Sequence, residues 1–243
     1  MDRRAWLLAL VLGAFLSGPL VAGPIAAFAA CSAATLDTYL SQTCAIGNLT
    51  VKGFSYSFTS AGDVPVYIPD SAILVQPDSR PQGPHLRFSS SLFSVGADQK
   101  AVLELGYNID PPPVIIRGFD EEMFAETPLP PGFVTIDTWL CVGGAFPGCG
   151  APGVLQLLQL AHYGSGDQNN RLTDSFMFPL SPPAYTLGVR HIITLDGGGG
   201  GGGGSASFDA LENQVYAIPE PGTWLLLSCG LLSLALVRRQ RAG

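Results

Sequence analysis

Leu49–Ser60 reads LTVKGFSYSFTS, and this stretch decides the fold class. Aromatic residues stand at every second position in its second half, which is the period of a β-strand with one buried face. Strict alternation places Leu49, Val51, Gly53, Ser55 and Ser57 on one side and Thr50, Lys52, Phe54, Tyr56 and Phe58 on the other. We therefore predict a strand here, with the aromatic side buried.

Similar β-rich stretches recur along the chain at residues 85–95, 100–109, 132–144, 175–180 and 185–195. Glycine, proline, asparagine and aspartate separate them, and the chain holds 30 glycines and 20 prolines, which helix interiors tolerate poorly. The pattern predicts an all-β fold, an antiparallel and jelly-roll-like β-sandwich. Residues 33–42 (AATLDTYLSQ) are the exception, since Leu36, Tyr39 and Leu40 share one face of a short helix.

Two further segments are interpreted individually. Residues 153–164 (GVLQLLQLAHYG) fit a helix or a strand, with a slight preference for a strand because strands precede and follow them. Residues 205–218 predict a final hairpin with Leu211–Gln214 near its turn, after a run of eight glycines at 197–204 that predicts a flexible loop.

The amino terminus has the composition of an export signal. Arg3 and Arg4 precede an apolar stretch, and Ala27 and Ala29 flank Phe28 in an Ala-Phe-Ala cleavage motif. We predict a signal helix and signal peptide over residues 1–30, cut after Ala29 or Ala30. An alternative is a lipoprotein site with Cys31 lipidated, although Phe28 fits the first position of such a motif poorly.

The carboxyl terminus combines three features in a fixed order. Pro219-Glu220-Pro221 is followed by an uncharged stretch, Trp224–Val237, and then by Arg238, Arg239 and Arg241. Fourteen helical residues span about 21 Å, less than a full bilayer core, but the basic end favours a membrane helix at about 223–237 with its tail retained inside. We predict that residues 218–243 form an anchor that follows an exported domain, residues 31–217.

This tail resembles the PEP-CTERM sorting signal of Gram-negative bacteria. The resemblance covers about the last 26 residues, in order, spacing and position. It implies that exosortase, a membrane-embedded enzyme, recognises the chain and processes it near Pro219, Glu220 and Pro221. The chain would then be exported through the inner membrane, anchored there by its helix, and delivered to the cell surface or the extracellular matrix, with exopolysaccharide as a possible partner. The resemblance implies nothing about the chemistry of residues 31–217.

The charge of the exported part argues against nucleic acid as a partner. Residues 31–217 hold seven lysines and arginines against 17 aspartates and glutamates, a net charge of about −10. Such a surface repels phosphate backbones, so we expect no nucleic-acid binding.

Four of the five cysteines lie in the exported part, as two pairs that are close in sequence. Oxidising compartments favour disulfides, and the local pairs Cys31–Cys44 and Cys141–Cys149 are the connectivity we predict of the three possible. Their spacings do not match zinc-ligand pairs, so we expect no metal site.

Candidate site residues are sparse, and no cofactor motif or catalytic motif is present. His85, His162 and His191 form no metal-binding pattern and are typical of strand faces or of a core. Asp120, Glu121, Glu122 and Glu126 could supply a glycosidase pair or bind calcium, but a solvated acidic loop explains them better. Asp167, Asn169 and Asn170 favour a turn over a calcium loop.

Aromatic side chains suggest a second function for the same sandwich. Trp139 and Tyr163 are candidate sugar-stacking residues, although the apolar neighbours of Trp139 favour packing in the core. The first hypothesis is a non-enzymatic exported protein that is sorted through its tail. The alternatives are a carbohydrate-binding module and, third, a glycoside hydrolase that uses the acidic residues 120–126.

Overall fold

The computed structural model describes residues 28–80, 83–110, 114–124, 127–150, 153–163, 178–199 and 203–219. Within them lie one short α-helix, α1 (Leu36–Tyr39), a 3-10 turn at Asp70–Ala72, and fourteen strands. The strands are β1 (Ala34–Thr35), β2 (Cys44–Ile46), β3 (Leu49–Gly62), β4 (Leu74–Arg80), β5 (Gly83–Ser89), β6 (Ser94–Val95), β7 (Gln99–Asp110), β8 (Val114–Phe124), β9 (Phe133–Val142), β10 (Val154–Tyr163), β11 (Phe178–Ala184), β12 (Leu187–Asp196), β13 (Ala206–Ser207) and β14 (Ala210–Pro219).

Two six-stranded antiparallel sheets and one two-stranded antiparallel sheet, β6 with β13, make up the described fold. Sheet I has the order β1-β4-β5-β14-β8-β11, and sheet II has the order β10-β9-β12-β7-β3-β2. Only β4–β5, β9–β10 and β2–β3 are both adjacent in sequence and paired among the strands of these two sheets, so the chain crosses repeatedly from one sheet to the other. The predicted all-β antiparallel sandwich is confirmed.

The core lies between the two sheets, because each sheet turns its alternate residues inward. Sheet I contributes side chains such as Phe88, Phe119 and Leu211, and sheet II contributes Leu103 and Ile136, all at most 1% exposed. The opposite faces of both sheets carry most of the polar side chains. Any accessible site on these strands must therefore lie on one of the two outer faces.

A β-bulge in β3 corrects the predicted alternation of that strand. Gly53 has φ +61°, and its pairing with β7 shifts between Lys52 and Ser55, so β3 holds one more residue than its partner there. The extra residue reverses the phase. Leu49 and Val51 are therefore buried on the same side as Phe54, and they are not opposite it as predicted.

The structure also tests the predictions for residues 154–163, for the short helix and for the final hairpin. Residues 154–163 form strand β10, the preferred interpretation. The short helix exists and buries Leu36 and Tyr39, whereas Leu40 at its C-cap is 37% exposed. The final hairpin is wrong: Leu211–Gln214 lies inside β14, a central strand of sheet I that pairs with β5 on one side and β8 on the other.

Among the residues that the structure describes, no helix is long and apolar enough to cross a membrane. The predicted signal segment before Phe28 and the predicted tail after Pro219 lie outside those residues.

Candidate functional site

Both predicted disulfides are present. The sulfur atoms of Cys31 and Cys44 are 2.05 Å apart, and those of Cys141 and Cys149 are 2.04 Å apart. The first bridge holds the start of the domain against β2, where the backbone N–H of Cys31 also donates to the carbonyl of Ala45 at 2.8 Å. It uses the sulfur atom that a lipid group would need, which favours the disulfide over lipidation of Cys31.

The acidic residues 120–122 do not lie in a loop, which corrects the loop interpretation for this part of the segment. Residues 120–122 lie inside strand β8, where successive side chains point to opposite faces. Glu121 faces the core and is 3% exposed, whereas Asp120 and Glu122 face outward beside Gln214 and Glu212 of β14. Glu121 and Glu122 therefore lie on opposite faces of one sheet and cannot act together on one substrate. Glu126 is outside the described residues.

Glu121 belongs to a buried polar network that joins the two sheets. The Thr138 hydroxyl donates to Glu121 Oε1 at 2.6 Å, and Nδ1 of His191 lies 2.8 Å from the same oxygen. Tyr107 donates its hydroxyl hydrogen to Asn213 Oδ1 at 2.9 Å, which turns the amide nitrogen of Asn213 toward Glu121. Burial and the nearby Glu121 carboxylate raise the pKa of Tyr107 well above its ordinary value.

This network resembles a catalytic triad in residue types only. The side chains of Glu121 and His191 are both 0% exposed, and Thr138 is also 0% exposed. A substrate carbonyl must reach the hydroxyl of a nucleophile, and here the packed core prevents that approach. The network therefore connects the sheets and offers no reactive site.

The histidine prediction is confirmed for two residues. His85 and His191 are 5% and 0% exposed, and each has a glutamate within hydrogen-bond distance of its Nδ1. His162 lies in β10, opposite Val134. No three His, Cys, Asp or Glu side chains come together as metal ligands in the described part of the chain.

Trp139 lies on the outer face of sheet II, which corrects the prediction that it packs in the core. Its neighbours Thr138 and Leu140 are the residues that point inward, both 0% exposed. Trp139 is half-buried, between Leu157 of β10 and Arg190 of β12 in register. Leu155 and Leu157 beside it are 51% and 40% exposed, so an aromatic ring and two leucines form an apolar patch on this face.

Polar side chains border this patch. Arg190 makes a two-pronged ion pair with Glu104, with Nε–Oε1 2.7 Å and Nη2–Oε2 2.8 Å. Gln159 donates to Asp137 Oδ1 at 2.6 Å in the next row. We call the surface formed by Trp139, Leu157, Gln159, Asp137 and Arg190 the tryptophan face.

A groove of about 450 Å³ lies on the outer face of sheet I, which is the opposite side of the sandwich. Its lining is almost entirely polar and comes from β4, β5 and β14: Gln76, Pro77, Asp78, His85, Arg87, Ser89 and Glu212. Burial raises the pKa of the neighbouring Asp120, whose partners in the fold include the Tyr216 hydroxyl. We call this surface the polar groove.

Sequence reasoning missed the polar groove, because its members are far apart in the chain and none belongs to a motif. His85 and Glu212 are separated by 127 positions. Tyr163 ends β10, opposite Phe133 in register. Asp167, Asn169 and Asn170 lie outside the described residues.

Comparisons with known proteins identify no family. No family model and no curated protein matches the chain. Among solved structures, the chain is similar to TmCBM61, determined in complex with β-1,4-galactotriose, with 12% identity, a TM-score of 0.28, and 67% of this chain and 88% of that chain covered. The enzymatically active domain of bacteriophage CBA120 tailspike protein 4 is similar with 14% identity, a TM-score of 0.16, and coverages of 69% and 19%. At these TM-scores neither likeness carries a functional argument.

Proposed function

We propose that this chain is an exported, non-enzymatic β-sandwich protein that is sorted through its PEP-CTERM-like tail and acts at the cell envelope or in the extracellular matrix. The observation that carries the proposal is the pair of bridges, Cys31–Cys44 and Cys141–Cys149. Disulfides persist in oxidising compartments and are rare in the reducing cytosol. A folded domain with two of them is suited to a place outside the inner membrane.

The position of the predicted processing motif supports the same function. Strand β14 keeps its pairing with β8 as far as Pro219, opposite Val114. The described ladder therefore reaches the first proline of the Pro-Glu-Pro triad. The processing site expected near Glu220 follows directly on the sandwich domain in sequence, as a sorting tail requires.

The sorting test compares the full chain in a host that has exosortase with the same host lacking the enzyme. We expect a mass loss at the tail only when exosortase is present, and we expect deletion of 224–243 to release a soluble domain. Glu220→Ala should stay anchored and unprocessed, whereas Asp63→Ala, an exposed carboxylate elsewhere, should be processed normally. Equal processing of both variants, or free thiols at all four cysteines, would contradict the proposal.

The tryptophan face favours a second function, binding of a carbohydrate on the outer face of sheet II. Sugar rings have one apolar face that stacks on an aromatic ring, and hydroxyl groups that pair with planar polar side chains. Trp139 supplies the ring, and Asp137, Gln159 and Arg190 supply the polar groups within one or two strands. This arrangement supports binding without any chemistry on the bound sugar.

A pull-down on the exopolysaccharide of the producing organism tests this second function. We expect the processed protein to bind, Trp139→Ala to lose binding, and Trp139→Phe to keep part of it. Tyr67→Ala is the matched control, since Tyr67 is 72% exposed and lies outside the tryptophan face. Retention of binding by Trp139→Ala would rule out the tryptophan face as the binding surface.

A further inference from the structure

Two of the side chains that line the polar groove, His85 and Glu212, hold each other in place. Nδ1 of His85 lies 2.7 Å from Oε1 of Glu212, and these side chains are only 6% and 8% exposed. Arg87 approaches the second oxygen of Glu212 at 3.8 Å, and its guanidinium carbon stands 5.0 Å from the centre of the Phe124 ring. Side chains held this way lose little freedom when a ligand binds, so the groove is preorganised.

Two polar nitrogens beside this pair have no partner among the described residues. One is Nε2 of His85, and the other is Nε2 of Gln214, the direct neighbour of His85 across β5 and β14. The Tyr216 hydroxyl is shared between Asp120 and Gln214, whose amide oxygen accepts from it at 3.2 Å, and this leaves the two amide hydrogens of Gln214. Buried polar groups are almost always paired in folded proteins, so this unmet capacity points to a missing partner.

The chemistry of the two nitrogens defines that partner. In the tautomer that donates its Nδ1 hydrogen to the Glu212 carboxylate, Nε2 of His85 is an acceptor, whereas the amide nitrogen of Gln214 is a donor. A hydroxyl group both donates and accepts, so a ligand rich in hydroxyl groups matches both nitrogens. Glu212 and Arg87 add an acceptor and a donor for further hydroxyl groups.

The charge around the groove selects against anions. Asp78 lines it, and Glu122 and Asp120 are the register partners of Glu212 and Gln214 on β8. Arg87 is the lining residue that always carries a positive charge. A surface with this balance repels carboxylated or sulfated polymers and accepts uncharged, hydroxyl-rich ones.

We propose that the polar groove is a binding site for a neutral sugar residue, recognised through its hydroxyl groups by His85, Gln214, Glu212 and Arg87. This site lies on the opposite side of the sandwich from the tryptophan face and does not depend on it. If both surfaces bind, one molecule holds two polysaccharide strands, one on each sheet, and acts as a cross-link in the matrix.

The test measures binding of the full chain, in detergent, to soluble polysaccharides by affinity gel electrophoresis. Galactan, glucan and mannan are the neutral probes, and alginate is the anionic probe. We expect retardation by at least one neutral probe and none by alginate. Gln214→Leu keeps the size of the side chain and removes its hydrogen bonds, so it should weaken that binding at least tenfold without changing the melting temperature.

Two further variants keep the proposal falsifiable. Arg87→Ala should also weaken binding, whereas Gln42→Leu, the same replacement at an exposed position outside both surfaces, should leave neutral-sugar retention unchanged. Undiminished binding in both Gln214→Leu and Arg87→Ala, or stronger retention by alginate than by every neutral probe, would overturn the proposal. Loss of binding in Trp139→Ala with full binding in Gln214→Leu would assign the sugar to the tryptophan face alone.

Discussion

Two histidine–glutamate pairs with nearly equal distances lie on the two faces of sheet I. The inner pair, His191–Glu121, has its Nδ1 and Oε1 atoms 2.8 Å apart in the core, and the outer pair, His85–Glu212, has them 2.7 Å apart beside the polar groove. The inner pair connects strands of different sheets, whereas the outer pair connects neighbouring strands of one sheet. The comparison shows that the surroundings, and not the residue types, decide whether such a pair supports the fold or forms a site.

The surroundings differ in the groups beside each pair, although Nε2 of both histidines and Oε2 of Glu121 have no partner among the described residues. Thr138 and Asn213 direct additional donors at Glu121 Oε1, so the inner carboxylate is held by groups from both sheets. Beside the outer pair lies the amide nitrogen of Gln214, which has no partner among the described residues. We infer that the inner pair contributes to stability and the outer pair to recognition.

Removing one carboxylate from each pair should give the largest difference. Glu121→Ala leaves His191, Thr138 and Asn213 without their common acceptor, and each buried donor left unsatisfied costs about 1–3 kcal/mol. Glu212 lines the groove, so water can take the place of its carboxylate in Glu212→Ala. This variant should lose about 1 kcal/mol of the free energy of unfolding. Urea unfolding measures both free energies.

The control for this measurement is Glu104→Ala. It breaks an exposed ion pair with Arg190, and such pairs contribute up to about 1 kcal/mol. Equal losses for Glu121→Ala and Glu212→Ala would show that the two pairs have the same role and would remove the distinction between them.

The next largest difference between the two faces of sheet I should appear in the free energy of unfolding as the pH is raised. Burial raises the pKa of Tyr107 well above its ordinary value, with the Glu121 carboxylate as a second cause. A folded-state pKa above the unfolded value means that the stabilisation is complete below pH 10 and is lost as the pH rises above 10. The free energy of unfolding should then fall by up to about 1.4 kcal/mol per pH unit for each such tyrosine.

Tyr107→Phe is the variant that checks this, with Tyr216→Phe on the outer face as its match. The pKa of Tyr216 is also raised, by burial and by Asp120, but Tyr216 is half-buried and should contribute less. We expect the free energy of unfolding to decline less steeply above pH 10 in Tyr107→Phe than in Tyr216→Phe. Burial raises the pKa of Tyr39 to about 12, so some decline should remain in both variants.

The sequence predicted the architecture well because its evidence is local. Alternation identified most of the strands, and proximity in the chain identified both disulfides. It was harder to predict which side chains of a strand face the core. Glu121 and Glu122 are adjacent and both acidic. No local signal in the sequence shows that Glu121 contacts Thr138 and His191 of the other sheet. The groove was unpredictable for the same reason, since β14 and β5 meet only in the folded sheet.

The bulge at Gly53 is the feature that sets which side chains of β3 face inward, so it offers a further test of the distinction between the faces. Gly53 adopts a left-handed conformation, and an added Cβ would lie 2.9 Å from Nδ2 of Asn108. Gly53→Ala should therefore cost about 1–2 kcal/mol, by urea unfolding. Gly148 also has a positive φ, but an added Cβ there would meet open space. Gly148→Ala should therefore lower the free energy of unfolding only through the backbone conformation and not through a steric clash. A larger loss at Gly148 would contradict the assignment of a packing role to the bulge.

The smallest expected effect concerns Asp120 on the outer face, beside the groove. Burial is the main cause that raises the pKa of its carboxyl group, against the lowering effect of hydrogen bonds from the Glu121 backbone and Tyr216. A raised folded-state pKa means that the native state favours the protonated form, so stability falls as the pH rises through the unfolded value of about 3.9 and on to the folded one. Asp120→Asn keeps an oxygen acceptor for both hydrogen bonds and cannot ionise. It should match the wild type at pH 3 and be slightly more stable at pH 7, as measured by urea unfolding at both values. A variant less stable than wild type at pH 7 alone would mean that the ionised carboxylate has a favourable partner on this face, and the outer face would then resemble the inner one.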